Sequence, residues 1–122
     1  MKIHRLTPII WTEELEETIE FYTGMLGFIC GERNDDWGWA ALNHGDTEIM
    51  IAKPNDHTPF EKPGFTGTFY FNIDDADALW TQIRHKVKVV YDIENFEWGM
   101  REFAIFDNNG YTLQFGHEIA AT

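Results

Sequence analysis

Hydrophobic and polar residues follow the same order twice along the chain. In the first half, an apolar run at residues 6–11 precedes apolar positions that recur at helical spacing within residues 13–25. Gly27 is well placed to end this helix, because glycine tolerates the left-handed backbone that often follows a helix. Pro8 lies inside the apolar run and favours an edge strand or an exchanged strand. Three further strands are expected near residues 28–33, 37–42 and 48–52.

The same order returns in the second half. Residues 68–73 alternate as a strand, and the pair Asp74-Asp75 precedes a second helix. The inward side of that helix is expected to consist of Ala76, Leu79, Ile83 and Val87. Further strands are expected near residues 89–93, 101–106 and 111–116. The chain is therefore predicted to contain two copies of a strand–helix–three-strand unit.

The predicted fold class is α+β, with two βαβββ modules that form curved mixed sheets in a single domain. Module one is placed at about residues 1–53 and module two at about residues 67–117. The intervening linker, about residues 54–66, holds three of the four prolines. A loop of this length is typical of a linker, a lid or a hinge for exchange between chains.

The net charge of the chain narrows the classes of molecule that it is expected to bind. The 122 residues include 21 acidic and 9 basic side chains, for a net charge of −12. Phosphate backbones are repelled by such a field, which disfavours nucleic-acid binding. A cationic small molecule or a basic partner is attracted instead. The alternative is that the acidity serves only solubility.

Two further features bear on the cellular compartment of the protein and on the reactivity of its cysteine. Cys30 is the single cysteine, and its apolar setting favours an inert core thiol over a nucleophile. The N-terminal residues lack the apolar run of a signal peptide, and no stretch approaches the ~20 apolar residues of a membrane span. We therefore expect a cytoplasmic protein.

The repeated pattern resembles the vicinal oxygen chelate superfamily, which includes glyoxalase I, extradiol dioxygenases and antibiotic-binding resistance proteins. The motifs that carry the resemblance are ELEETIEFY at residues 14–22, LGF at 26–28 and DNNGY at 107–111. A closer resemblance is to the bleomycin resistance proteins. It rests on TPII at residues 7–10, DDW at 35–37 and EWGMREFA at 97–104.

The closer resemblance implies a binding protein. These relatives are dimers that exchange an N-terminal strand and bind cationic glycopeptide antibiotics in crevices between subunits, without chemistry. For this chain we expect a homodimer with N-terminal strand exchange and a cationic small-molecule ligand. We expect no nucleic-acid or membrane partner.

The resemblance also indicates where a metal would bind in metal-using relatives. The matching positions here are Thr7, Met50, Thr68 and Gln114. Two hydroxyls, a thioether and an amide form a poor site, because a divalent ion prefers carboxylates and imidazoles. We therefore expect no metal and no cofactor. A metal enzyme would need a displaced ligand set such as His4, Glu48 and Gln114.

Acidic and aromatic residues near the start of the chain are candidates for ligand binding. Trp37 and Trp39 are two positions apart and are expected on one face of a strand. Asp35 and Asp36 beside them would attract an ammonium or guanidinium group. Rings beside carboxylates suit a flat or cationic ligand. The alternative for the two indoles is core packing.

The second module supplies the remaining candidates, which are Tyr70, Asn72, Trp98, Gly99, Arg101 and Gln114. Tyr70 and Asn72 share a strand face, whereas Arg101 and Glu102 face opposite sides of theirs. Gly99 allows a ligand or partner backbone to approach closely. Gln114 offers a donor and an acceptor without the desolvation cost of a charge.

Three functions remain open. The leading hypothesis is that the protein binds and sequesters a cationic, partly aromatic molecule such as a bleomycin-type antibiotic. The chain shows no Ser–His–Asp or Cys–His arrangement that would support metal-free catalysis. The main rival is a metal-dependent glyoxalase-type lyase or dioxygenase. The third hypothesis is an interaction domain whose acidic face binds a basic protein.

Overall fold

A computed structural model describes residues 1–54 and 60–120 of the chain. Residues 55–59, which include His57 of the predicted linker, and residues 121–122 lie outside the described residues. The chain divides into two compact units, Met1–Pro63 and Gly64–Thr122. Within the described residues, each unit contains a four-stranded mixed sheet and an α-helix. The predicted α+β fold with two repeated modules is confirmed.

The first unit begins with strand β1 and helix α1. Its elements are β1 (Ile9–Trp11), α1 (Leu15–Glu20), β2 (Ile29–Asn34), β3 (Trp39–His44) and β4 (Thr47–Ala52). The strand order is β1-β4-β3-β2, with β1 parallel to β4. A π-helical turn continues α1 over Phe21–Met25, so the predicted helix changes its hydrogen-bonding pattern after Glu20. Gly27 follows with a φ of 73°, in agreement with its expected role as the helix terminator.

The second unit repeats this order. Its elements are β5 (Phe69–Asn72), α2 (Ala76–Ile83), β6 (Lys88–Asn95), β7 (Met100–Phe106) and β8 (Thr112–Glu118). The strand order is β5-β8-β7-β6, with β5 parallel to β8. Asp75 caps α2, because its carboxylate accepts a hydrogen bond from the Ala78 N–H at 3.1 Å. Neither of these α-helices, nor any other helix in the described ranges, is long and apolar enough to cross a membrane.

Aromatic side chains form the core between α2 and its sheet. Trp80 on α2 contacts Phe103, with ring centroids 5.1 Å apart, and Phe103 stacks on Phe115 at 5.4 Å. Of the residues predicted to form the inward side, Ala76 and Ile83 are buried and Leu79 is half-buried. Val87 lies beyond the end of α2, and Trp80, which the prediction omitted, is buried. The indole of Trp80, one residue after Leu79, lies on the same side of α2 as Ala76 and Ile83.

Strand alternation separates the two faces of the second sheet. Phe103 packs towards α2, so its neighbour Glu102 lies on the face away from α2. Across β7 and β8, Glu102 pairs with Gly116, and Gln114 pairs with Tyr70 across β8 and β5. These pairings place polar side chains from three strands on one face of the sheet.

The turn between β7 and β8 fixes this register. The Asp107 carboxylate accepts hydrogen bonds from the backbone N–H groups of Asn109, Gly110 and Tyr111 at 2.8, 2.9 and 2.9 Å. Aspartate is favoured in turns because its side chain binds the backbone of the residues that follow. The turn therefore determines which residues of β8 stand opposite Glu102.

We expect Phe103→Ala to destabilise the protein by about 3–5 kcal/mol, because it removes a fully buried ring that packs on Trp80 and Phe115. Urea unfolding monitored by circular dichroism measures the change. Val90→Ala is the control, since Val90 is 40% exposed on β6, and its cost should stay within about 0.5 kcal/mol. Equal stability of the two variants would contradict this packing.

Candidate functional site

A carboxylate surrounded by hydrogen-bond donors lies on the face of the second sheet away from α2. Glu102 is fully buried. Its Oε1 accepts from Trp98 Nε1 at 2.8 Å and from the Tyr70 hydroxyl at 3.1 Å. Its Oε2 accepts from the Tyr91 hydroxyl at 2.5 Å and from Gln114 Nε2 at 2.9 Å. Each oxygen therefore has two donors, which fills the four lone-pair positions of a carboxylate.

Thr68 fixes the orientation of the Gln114 amide. The Thr68 hydroxyl donates to Gln114 Oε1 at 2.6 Å, while Gln114 Nε2 donates to Glu102 and, at 2.6 Å, to the Tyr91 hydroxyl. Both N–H groups of the amide and its oxygen are thus in use. We refer to Thr68, Tyr70, Tyr91, Trp98, Glu102 and Gln114 as the Glu102 cluster.

The hydrogen bonds determine the charge of the cluster. Burial alone raises the pKa of the Glu102 carboxyl, but the hydrogen bonds from Tyr91, Trp98, Tyr70 and Gln114 outweigh it and bring the pKa below its ordinary value. Burial and the nearby Glu102 raise the pKa of Tyr70 and of Tyr91 to about 12. At neutral pH the cluster therefore holds one negative charge and two neutral phenols.

The charge of Glu102 is stabilised by hydrogen-bond donors and not by a basic side chain. Among the described residues, none of the ion pairs includes Glu102. Its neighbour Arg101 extends towards α2, where its Nε lies 2.9 Å from both carboxylate oxygens of Asp77. Arg101 Nη1 also donates to Asn95 Oδ1 at 3.0 Å. The second sheet thus carries a buried anion that lacks a protein cation in the described residues.

Aromatic rings surround this anion. Trp98 stacks on Phe96 with centroids 4.6 Å apart and an interplanar angle of 16°, and Tyr91 meets Phe96 edge-on at 5.4 Å. Trp98 is 60% exposed and Tyr70 is 38% exposed, although both donate to the buried carboxylate. Part of each ring therefore remains accessible beside a negative charge.

A tight turn brings Trp98 to the carboxylate. The Gly99 N–H donates to the Phe96 carbonyl at 3.0 Å, and Gly99 has a φ of 86°, which glycine adopts without steric cost. The chain thereby reverses between β6 and β7. This reversal allows the indole to reach Glu102, four residues further along.

An irregular strand pairing places Tyr91 beside the carboxylate. The register between β6 and β7 shifts between Val89 and Tyr91, and again between Tyr91 and Glu94. Such bulges turn side chains out of their regular alternation and increase the local twist. The Tyr91 hydroxyl can therefore reach both Glu102 and Gln114.

Gly116 provides the space for the Tyr70 hydroxyl. A Cβ at position 116 would overlap the Tyr70 hydroxyl and would lie 3.0 Å from the Cβ of Glu102. The hydrogen bond between Tyr70 and Glu102 therefore requires glycine at this position on β8.

The structure brings together three of the residues predicted to bind a ligand: Tyr70, Trp98 and Gln114 all donate to Glu102. Gly99 forms the adjoining turn. Asn72 lies on the same face of β5 as Tyr70 and is exposed. Arg101 lies on the opposite face and is paired with Asp77. Ligand binding by each of these residues stays a prediction.

The two candidate indoles of the first unit do not share a strand. Trp37 lies in the turn formed by residues 35–38 and is 74% exposed, whereas β3 begins at Trp39. The expectation that both lie on one strand was wrong, because the Asn34 side chain accepts from the Trp37 N–H at 3.1 Å and stabilises a turn there. Trp39 is half-buried at the start of its strand.

The acidic candidates of the first unit differ in their partners. Arg33 donates from Nε to Asp35 at 2.6 Å and also pairs with Glu16 on α1. A cationic ligand would therefore compete with Arg33 for Asp35. Asp36 is exposed in the same turn. Ligand binding by Asp35, Asp36, Trp37 and Trp39 stays a prediction.

Sequence reasoning missed the residue at the centre of the cluster. Strand alternation predicts only that Glu102 faces away from Arg101, and it assigns no role to Tyr91 or Phe96. The available signal was an acidic residue immediately before the apolar run at residues 103–106. A charge at that place in a central strand requires buried partners.

The residues present do not fit a divalent metal ion. Gln114 and Thr68 bind each other, and the Gln114 amide directs its N–H groups towards Glu102 and Tyr91. Glu48, from the displaced ligand set, lies 3.9 Å from the Arg5 guanidinium. Throughout residues 1–54 and 60–120, no three His, Cys, Asp or Glu side chains are grouped so that they could hold a metal.

Comparison with known proteins identifies the sequence family. The family model described as the Glyoxalase/Bleomycin resistance protein/Dioxygenase superfamily matches residues 2–115. No functionally curated protein matches the chain by sequence.

Several solved structures share the fold. A protein of unknown function from Agrobacterium tumefaciens str. C58 has a TM-score of 0.80 at 20% identity, covering 98% of this chain and 97% of its own. A lactoylglutathione lyase from Agrobacterium tumefaciens has a TM-score of 0.73 at 16% identity, with coverages of 95% and 94%. A glyoxalase/bleomycin resistance protein/dioxygenase from Nocardioides has a TM-score of 0.78 at 15% identity, with coverages of 99% and 89%. At these identities the likeness shows the fold alone.

The charge of Glu102 should make stability depend on pH. Its pKa is lower in the folded protein than its ordinary value of 4.5. The stabilisation that the ionised carboxylate gives to the folded protein is therefore complete at pH values above 4.5. It is lost as the pH falls through the pKa of Glu102 in the folded protein. We expect Glu102→Gln to cost about 2–4 kcal/mol at neutral pH, because it removes a charged acceptor from four donors. Urea titrations should show that the difference in the free energy of unfolding between the wild type and Glu102→Gln shrinks towards pH 3.

The matched control for this measurement is Glu94→Gln. Glu94 pairs with Glu102 across β6 and β7 but is exposed. Its substitution should change stability by no more than about 0.5 kcal/mol. A pH-independent difference between the wild type and Glu102→Gln would contradict a buried, ionised Glu102.

We expect Gly116→Ala to displace the Tyr70 hydroxyl from Glu102 and to destabilise the protein by about 1–3 kcal/mol, because the new methyl group overlaps that hydroxyl. Gly24→Ala is the control, since nothing lies within 4 Å of a Cβ at Gly24. Urea unfolding gives the stability of both variants, and a crystal structure gives the position of Tyr70. Wild-type stability with an intact Tyr70–Glu102 hydrogen bond would contradict the prediction.

Proposed function

Because the chain belongs to the Glyoxalase/Bleomycin resistance protein/Dioxygenase superfamily, we propose that it binds and sequesters a cationic, partly aromatic small molecule such as a bleomycin-type antibiotic. The family includes binding proteins as well as enzymes, so the choice between them depends on the site. The observation that carries the proposal is the buried, ionised Glu102 beneath partly exposed aromatic rings.

The cluster is complementary to a cation in charge, and it presents partly exposed aromatic rings. Trp98 and Tyr70 keep part of their rings accessible, and both are hydrogen-bonded to the same anion. A cation over an aromatic face gains about 0.5–2 kcal/mol. The net charge of −12 adds a long-range attraction for cations. A flat cationic ligand would therefore provide the positive charge that Glu102 lacks among the described residues.

The same cluster is poorly suited to acid–base catalysis. A general base needs an accessible lone pair and a pKa near the working pH. Glu102 has a lowered pKa, and all four of its acceptor positions are in use. Tyr70 and Tyr91, whose pKa values are raised to about 12, remain protonated at neutral pH. These properties favour binding without turnover.

The rival function is a metal-dependent glyoxalase-type lyase or dioxygenase that uses His4, Glu48 and Gln114. Its support is the fold shared with a protein named lactoylglutathione lyase. The Gln114 amide argues against it, because the amide already binds Thr68, Tyr91 and Glu102. Metal analysis of protein purified without a chelator separates the two functions. One Ni, Zn, Fe or Mn ion per chain would favour the enzyme.

A homodimer with N-terminal strand exchange belongs to the proposal. β1 is an edge strand of its sheet, and Ile3, Leu6 and Ile9 on or before it are largely exposed. Exposed apolar side chains beside an unpaired strand edge favour association with another chain. Light scattering coupled to size-exclusion chromatography tests the dimer. Deletion of residues 1–11, which removes β1, should weaken the dimer.

Isothermal titration with bleomycin and with other flat cationic drugs tests binding directly. We expect heat and a defined stoichiometry for at least one of these ligands. Trp98→Leu should weaken binding by about tenfold, because it removes the most exposed ring of the cluster. Glu97→Gln is the control, since it removes a neighbouring exposed charge and leaves the cluster intact. Absence of heat with every drug would refute sequestration.

A further inference from the structure

The Glu102 cluster presents a negative charge but no vacant acceptor on its carboxylate. Both oxygens of Glu102 already accept two hydrogen bonds. The Gln114 oxygen accepts from Thr68. The Tyr70 hydroxyl is directed at Glu102 and occupies the space beside Gly116. A ligand at the accessible rings would therefore experience the charge without reaching the oxygens that carry it.

This arrangement affects different cations differently. A primary ammonium group has three N–H donors, and each loses a hydrogen bond to water when it is buried without an acceptor. A quaternary ammonium group has no N–H donor and is the type of cation that aromatic cages recognise. Trp98 and Tyr70 are partly exposed and both donate to Glu102 Oε1, so they supply aromatic surface beside the charge. The negative charge of Glu102 attracts both kinds of cation equally at a given distance.

We propose that the Glu102 cluster recognises the cationic group of its ligand without a hydrogen bond, and that it therefore selects quaternary ammonium groups over primary ammonium groups. The inference rests on the proposed binding function and specifies the chemistry of the ligand. Trp98 and Tyr70 are the contact residues. Glu102 is a positioning residue that holds both rings and supplies the charge.

Three probes of matched shape test the selection. Each has a 4-(hydroxymethyl)benzyl group, joined to an ammonium, a trimethylammonium or a neutral tert-butyl group. Titration is followed by calorimetry and by the NMR signal of the Trp98 indole N–H. We expect the trimethylammonium probe to bind about tenfold more tightly than the neutral probe. We expect it to bind at least about threefold more tightly than the ammonium probe.

Two variants separate the effect of charge from that of vacant acceptors. Glu102→Gln should reduce the preference for the trimethylammonium probe over the neutral probe to about twofold or less. Tyr70→Phe removes one donor from Glu102 Oε1 and leaves that oxygen with a vacant acceptor position. In this variant the ammonium probe should gain relative to the trimethylammonium probe. A purely structural role for Tyr70 would weaken both probes alike, and the Tyr70→Phe measurement remains decisive if Glu102→Gln fails to fold.

The outcomes distinguish this inference from the proposed function. If bleomycin binds but the ammonium probe binds as tightly as the trimethylammonium probe, the inference is wrong and the proposed function stands. The same holds if Tyr70→Phe leaves the order and ratio of the two probes unchanged. If no drug and no probe binds, both proposals are wrong. Selection for trimethylammonium in the wild type that declines in Tyr70→Phe supports the inference.

Discussion

The buried charge of Glu102 constrains how the strands of the second unit are arranged. An ionised carboxylate inside a protein is costly unless every oxygen is hydrogen-bonded. Tyr70, Tyr91, Trp98 and Gln114 meet this requirement from β5, β6, the β6–β7 turn and β8. One side chain on β7 therefore links all the other strands of its sheet. The positive φ of Gly99 and the absence of a side chain at Gly116 serve the same requirement, because each allows a donor to reach the carboxylate.

This constraint also explains why β8 presents an amide at position 114. A carboxylate there would lie beside Glu102, and two like charges at hydrogen-bonding distance repel each other. The amide instead donates to Glu102 and Tyr91 and accepts from Thr68. The group that completes the donor set of Glu102 is thus the group that makes the position unsuitable for a metal ion. One residue therefore completes the hydrogen bonding of the anion and leaves this position of β8 without a carboxylate.

The sequence predicted those features that depend on short stretches of chain. Asp75 begins the second helix through a bond to the Ala78 N–H three positions away, and Gly27 follows the first helix with a positive φ. Tyr70 is predicted as a site residue from strand alternation, Trp98 from its aromatic type, and Gln114 from the resemblance to metal-using relatives. Their common partner is not predicted, because contacts with Glu102 depend on pairing between distant strands. Trp37 was misplaced for a local reason: the Asn34 side chain stabilises a turn where alternation indicated a strand.

Tyr91 shows the limit of alternation most clearly. Its position depends on two register shifts in β6, and the sequence of one strand does not specify how it pairs with another. The hydrogen bond that this irregularity allows between Tyr91 and Glu102 holds the Tyr91 ring in place in the folded protein. Trp98 is fixed by its hydrogen bond to Glu102 and by stacking on Phe96, so binding need not order it. Side chains that are ordered on folding reduce the entropic cost of association. A buried, fully hydrogen-bonded anion is therefore well suited to a binding surface, since it orients aromatic rings and supplies a field while remaining unavailable for proton transfer.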